Sequence, residues 1–461
     1  MLGPARCRAS QVTDAAATMH RHLLLVCLIL LAACVPSSGP AASSPTASPI
    51  PTAAPTTAAL PTADIATPAT RLNLAPDPAT TLDTLLHQVE RLRGIEARQS
   101  IVPVPALPVE FGPLARSAFA NDWPSIHLEN QIRLLQFLGL APSSVNVEAL
   151  MVAAGVGAIL SAPDGSLTIA AVPLPEDDLV RVACAYDRTL LMQAFPESAP
   201  TRQVQACRDD FDVCLASRAL LEGDAALLAE QWRRTFGGKA LPPPEVPIGC
   251  GALPLRAALN AAGLSGILSF PTEQGLAFTR AVYIKGGWAA VDQAHTSPPV
   301  STEQILHPDR YPKDAPRPPE LEDLAASLGA GWTTLDSGGL GEWRTLLTLQ
   351  AFLEPDLAAL AAAGWDGDAY ALLTQPTQAL TAWVLLTRWD TVRDAHEFSG
   401  AFRTYGEGRF GPSKRVGSSL AWTIPEGIVV LDVGNDQTLW IQAPDAQTAA
   451  TLRAATRFPL H

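Results

Sequence analysis

Glu303 and His307 stand four residues apart in the run Ser301-Thr302-Glu303-Gln304-Ile305-Leu306-His307-Pro308. On a helix that spacing puts both side chains on one face, where they can form a hydrogen-bonded acid–base pair. The same run also reads as a helix start, because Ser-Thr-Glu-Gln has the form of a capping box. In that reading Glu303 is a cap and the role is structural. Asp366 and Asp368 alternate with glycine in Gly364-Trp365-Asp366-Gly367-Asp368. That is the opening spacing of a calcium loop, but the remaining ligand positions do not follow, so a turn is expected. Cys184 and His307 could in principle form a thiol–imidazole pair. No nucleophile-elbow or protease signature surrounds Cys184. His87, His127, His295 and His396 show no metal-ligand spacing.

Charge and address narrow the function classes. The 461 residues carry a formal net charge of -13, with 48% hydrophobic residues. Phosphate binding needs clustered Lys and Arg, so the composition argues against a nucleic-acid partner. Arg6, Arg8, Arg21 and His22 precede an apolar run from Leu23 to Ala33, and Leu31-Ala32-Ala33-Cys34 closes it. Residues 1–33 are therefore expected to be a lipoprotein signal peptide, cut before Cys34, with either Met1 or Met19 as the start. An ordinary signal peptide cut elsewhere, or an uncleaved anchor, is the competing reading. Acyl chains on Cys34 would hold the chain on the extracytoplasmic face of a membrane. Residues 34–78 are rich in Pro, Ser, Thr and Ala, which predicts a disordered, extended spacer.

Cys184, Cys207, Cys214 and Cys250 remain after the signal and Cys34. An exported chain with four cysteines suggests two disulfides, with three connectivities open. A Cys207–Cys214 bridge across a short acidic loop is preferred; four free thiols are the alternative.

Periodicity supplies the elements that must position these groups. Thr81–Arg98, Phe111–Ala120, Ile126–Leu138 and Val147–Ala154 read as helices, with the Pro-rich link Val102–Pro108 after the first. Two β-like runs, 157–161 and 166–170, flank Asp164-Gly165 and predict a hairpin. Asp178–Phe195 and Leu215–Phe236 read as two buried helices. Strands are expected at Ala379–Thr387, Ser418–Ile424, Gly427–Val433 and Thr438–Ala443, with helices at Thr391–Tyr405 and Ala446–Thr456. The fold class is α+β. A mainly helical domain is placed at 79–375 and a small C-terminal α+β module at 376–461.

A buried helix followed by a helix bearing Glu222-Gly223-Asp224-Ala225, then Gly286-Gly287-Trp288, the Ser301–Pro308 run and Gly364–Asp368, resembles a group of bacterial zinc-metallopeptidase-like proteins. The likeness covers roughly residues 80 to 405. It implies an HExxH helix, whose two His reach one zinc, with Glu222 as a third ligand. Cys184, Ala185 and Arg188 occupy the first His, the Glu and the second His. Ala185 is no base, and Arg188 stays protonated and cannot ligate. The resemblance therefore implies an inactive metallopeptidase-like frame with vestigial positions Cys184, Ala185, Arg188 and Glu222. No catalytic residue and no cofactor are expected, and zinc in particular is expected to be absent. An Arg188–Glu222 ion pair is predicted in the metal's place. In the alternative the helix is rotated, Arg188 is exposed, and backbone amides satisfy Glu222. The function expected is binding of a peptide or protein partner at the membrane surface. A hydrolase with a site rebuilt from Cys184 and Glu222 competes with it. So does a solute-binding lipoprotein, which would show two similar α/β lobes around a cleft.

Overall fold

A computed structural model describes residues 78–107, 109–110, 113–114, 125–142, 159–161, 167–170, 176–196, 210–237, 250 and 262–458. The expected signal peptide, Cys34 and the spacer up to residue 77 lie outside the described residues. So do Val147–Ala154 and most of Phe111–Ala120. No described helix is long and apolar enough to cross a membrane.

Helix α1 spans Pro78–Arg93. It stops five residues short of the expected end because Gly94 adopts φ +76°, the left-handed conformation that terminates helices. The Pro-rich link that follows is not all loop. Strand β1 (Val104–Ala106) pairs in parallel with β3 (Leu167–Ala170), and β3 pairs antiparallel with β2 (Ile159–Ser161). The hairpin pairing is as expected, and β1 adds a third strand at one edge. Helix α2 covers Ser125–Leu138.

Helices α3 (Glu176–Ala194) and α4 (Phe211–Phe236) are the two buried helices. Asp210 caps α4, accepting from the amides of Asp212 and Val213, which starts the helix a turn earlier than its apolar period suggests. Helix α5 (Ala262–Thr296) is broken at Gly286 and Gly287. Gly287 has φ +65°, so the final segment from Trp288 leaves at a new angle. Where α5 crosses α4, a Cβ on Gly223 would sit 2.1 Å from the carbonyl oxygen of Gly275. One on Gly275 would sit 2.1 Å from that of Ala219. The glycine in Glu-Gly-Asp-Ala is thus a packing requirement.

Short helices α6 (Thr302–Leu306) and α7 (Leu324–Leu328) lead into a seven-stranded antiparallel sheet. Its strands are β4 (Thr333–Gly338), β5 (Trp365–Gln375), β6 (Leu380–Trp389), β7 (Lys414–Val416), β8 (Ser419–Ile424), β9 (Gly427–Val433) and β10 (Gln437–Ala443), in the order β4-β5-β6-β10-β9-β8-β7. Helices α8 (Gly341–Gln350), α9 (Pro355–Ala362), α10 (Val392–Phe410) and α11 (Ala446–Ala455) complete it. The mixed α+β class holds. The sheet is larger than expected and begins at Thr333, so a boundary at 375/376 would fall between the paired strands β5 and β6. Asp366 and Asp368 do not form a turn: both lie in β5, at a register shift.

One face of the sheet carries an aromatic cluster. Trp383, Trp389, Trp422 and Trp440 pack with Phe398, Phe402 and Tyr405 of α10, all nearly inaccessible. Each such side chain contributes roughly 1.5–3 kcal/mol by leaving water. The other face packs Leu373, Val384, Leu386, Leu439 and Ile441 against Leu452 of α11.

Candidate functional site

Arg188 Nη1 lies 3.1 Å from Glu222 Oε1, and the two side chains are 15% and 17% exposed. The rotated-helix alternative, with Arg188 in solvent, does not apply. Cys184 forms a disulfide with Cys250, across 66 residues. This rules out four free thiols. Cys214 is disulfide-bonded too; Cys207, its expected partner, lies outside the described residues. Ala185 is fully buried and apolar.

These four positions do not fit zinc. A disulfide sulfur is not the thiolate that zinc requires. Ala185 brings no donor, and Arg188 places a permanent positive charge against the single remaining carboxylate. The hydrolase site rebuilt from Cys184 and Glu222 is therefore set aside.

The chain also builds a buried charge cluster that no spacing in the sequence signals. Arg93, the last residue of α1, is buried and reaches Asp224 through two parallel hydrogen bonds, Nε to Oδ1 at 3.1 Å and Nη2 to Oδ2 at 2.9 Å. Its Nη2 also donates to Asp292 Oδ1 at 2.6 Å. The guanidinium carbon lies 4.4 Å from the centre of the Trp288 ring. His295 Nε2 is 2.8 Å from Asp224 Oδ2, and the imidazole stacks on Phe195 at 4.7 Å. The break at Gly286–Gly287 precedes the segment that carries Trp288, Asp292 and His295 to this point.

Electrostatics follow from the burial. Burial opposes the charge on Arg93, but Asp224, Asp187 and Asp292 outweigh it and hold its pKa above the ordinary value. Burial also opposes charge on Asp224, yet Arg93 and His295 hold its carboxyl below the usual range. Asp187 is the exception. Fully buried, it has no hydrogen-bond partner among the described residues. Burial and the neighbouring Asp224 drive its pKa well up, against Arg93. Asp224 thus takes the charge and Asp187 the proton.

A second polar layer joins the helices to the sheet. Asp212 accepts from Thr302 Oγ1 at 2.5 Å and from the Thr302 amide at 3.0 Å. Burial and Asp210 push its pKa up to about 8. Asp368 accepts from the amides of Leu340 and Gly341, at 2.5 and 3.1 Å, and from Trp365 Nε1 at 2.7 Å. It caps α8. Arg344 lies buried over the Phe211 ring and donates to Gln131 Oε1 and to the carbonyl oxygens of Leu340 and Gly339.

Glu303 and His307 do not pair with each other. His307 Nε2 is 2.9 Å from Glu342 Oε1, while Glu303 binds Arg310. Nor is Glu303 the cap. Ser301 accepts from the Gln304 amide, and Gln304 Oε1 accepts from the Val300 amide at 2.9 Å. Burial pushes Glu303 up to about 8; Arg310 opposes the shift and Glu342 adds to it. No spacing in the sequence pointed to Arg93, Glu342 or Asp390, because their partners lie 35 to 199 residues away, nor to Asp187, which has no hydrogen-bond partner among the described residues.

Residues 332–453 match a protein family described as a domain of unknown function (DUF8575). That span runs from the residue before β4 into α11 and so takes in the seven-stranded sheet. No curated protein and no solved structure matches the chain.

Proposed function

We propose that the chain is a lipid-anchored extracytoplasmic binding protein with an inactive metallopeptidase-like frame, and that it takes a peptide or protein partner. The observation that carries this reading is the 3.1 Å Arg188–Glu222 pair beside a Cys184 already spent in a disulfide. At the positions where the resemblance places a metal and its base, this chain has a guanidinium, a carboxylate, half a disulfide and a methyl group. The paired charges cancel without an ion. The disulfide anchors the same helix to Cys250. Such a site can keep its shape and has lost the means to polarise water.

A solute-binding lipoprotein is less well supported. The described sheets have three and seven strands, with different topologies, rather than two similar lobes.

The test is metal content and hydrolysis. The full-length chain, purified without chelator and titrated with zinc, is expected to take up no stoichiometric zinc and to leave unstructured peptide substrates uncut. Stoichiometric zinc that disappears on Glu222→Ala, or peptide cleavage abolished by the same substitution, would overturn the reading.

A further inference from the structure

Four carboxylates from separate parts of the chain converge where α6, α8 and the end of β6 come together. Glu303 comes from α6, Asp314 from the segment after it, Glu342 from the first turn of α8, and Asp390 from the residue after β6. One oxygen each of Glu303, Asp314 and Asp390 lies within 4.8 Å of the other two. Glu303 is buried and the two aspartates are exposed, so the group opens to solvent on one side.

One guanidinium stands among them. Arg310 Nη1 contacts Glu303 Oε1 and lies 3.0 Å from Asp390 Oδ2, while its Nη2 donates to the Ala363 carbonyl oxygen at 2.9 Å. A single positive charge faces several carboxylates. The second observation is Glu342. It is 2% exposed and lies within electrostatic reach of both Glu303 and Arg310. Its Oε1 pairs with His307, but its buried Oε2 has no hydrogen-bond partner among the described residues. A buried carboxylate oxygen beside an acidic group is poorly compensated unless a cation approaches it.

We propose that Glu303, Asp314 and Asp390 form a binding site for a hard divalent cation of the calcium class, with Glu342 as the buried carboxylate behind it. The donors are all oxygens, which suits calcium and not a thiophilic metal. Calcium–oxygen distances of about 2.3–2.6 Å set opposing ligand oxygens roughly 5 Å apart, so three oxygens within 4.8 Å of one another can share one calcium ion. Arg310 is the competing cation. It is only partly covered, with its side chain 24% exposed. This site is independent of the Arg188–Glu222 pair, and neither proposal depends on the other.

The full-length chain is titrated with calcium by calorimetry and with terbium by luminescence excited through tryptophan; Trp389 precedes Asp390 in the chain. One saturable calcium site is expected, with magnesium weaker. Asp314→Asn and Asp390→Asn are each expected to weaken calcium binding by about tenfold or more, a loss of about 1.4 kcal/mol. Asp314 is exposed and makes no side-chain hydrogen bond among the described residues, so its substitution leaves the fold intact. Asp356→Asn, an exposed acid on α9, serves as control and is expected to change nothing. A chain that takes up no calcium, or takes it up equally well with both asparagine substitutions, overturns the proposal.

Discussion

Arg93 and Asp224, 131 residues apart, form a two-pronged ion pair from which water is excluded: both side chains are 0% exposed. The pair ties the C-terminal residue of α1 to the middle of α4, and Asp292 and His295 bring in the last segment of α5. A buried charge left without its partner is far more costly than the pair is stabilising. Arg93→Met should therefore destabilise the chain by about 3–5 kcal/mol, read as a lower urea midpoint. Arg188→Ala should cost less, since that pair is partly solvated and its remaining carboxylate can rehydrate. Equal losses for the two would contradict this ranking.

The buried acids make stability depend on pH in a defined direction. Asp187 is raised well above its ordinary value of 3.8, and Asp212 is raised from 3.8 to about 8. Above 3.8 the unfolded chain releases protons that the folded chain keeps. Their contribution is fully present below the unfolded value and is lost as pH rises through the folded one. Unfolding free energy should fall between about pH 4 and about pH 8. Asp187→Asn keeps the shape without the proton, so it should flatten this slope and raise stability at the upper end. A slope unchanged by the substitution would assign the effect elsewhere.

The α4–α5 crossing tolerates no side chain at two glycines. Gly223→Ala and Gly275→Ala each force a methyl against a backbone oxygen and should cost about 1–3 kcal/mol or more through overpacking. Gly400, on α10, is different: a methyl added there would meet nothing within 4 Å. Gly400→Ala should instead gain about 0.5–1 kcal/mol, by helix propensity alone. Thermal melts of the three variants would separate packing from propensity.

The Cys184–Cys250 bridge closes a loop of 66 residues. In the loop-entropy picture this is worth roughly 4 kcal/mol. A Cys184→Ala/Cys250→Ala double substitution should lower the urea midpoint accordingly. Reducing agent should shift the parent chain in the same direction. A double variant as stable as the parent would show that packing of α3 alone suffices.

Local pattern decided what local forces control. The apolar period of 178–195 and 215–236 gave buried helices, because a helix with an apolar face must cover it. Asp164-Gly165 between β-like runs gave the β2–β3 pairing, and the alternation after residue 379 gave β6 and β8 to β10. Ser301 gave a cap. From the type of two residues alone, Arg188 could not be a ligand and Ala185 could not be a base. Placed opposite each other by a resemblance, Arg188 and Glu222 could be expected to pair, and they do.

What depends on distant partners was decided only by the tertiary structure. Glu303 and His307 match helical spacing, yet each finds a stronger partner elsewhere, Arg310 and Glu342. Asp366 and Asp368 look like turn residues, but the β5–β6 pairing absorbs them into a strand, where Asp368 caps a helix. Val104–Ala106 becomes a strand because β3 offers an open edge. Arg93 lies at the end of an amphipathic helix, where a surface position would be the default reading, and Asp187 has no sequence signal of burial. Their charge states are set by how four helices cross. That crossing rests on Gly223 meeting Gly275 and on the break at Gly287, and no linear spacing encodes which carboxylate then faces the arginine.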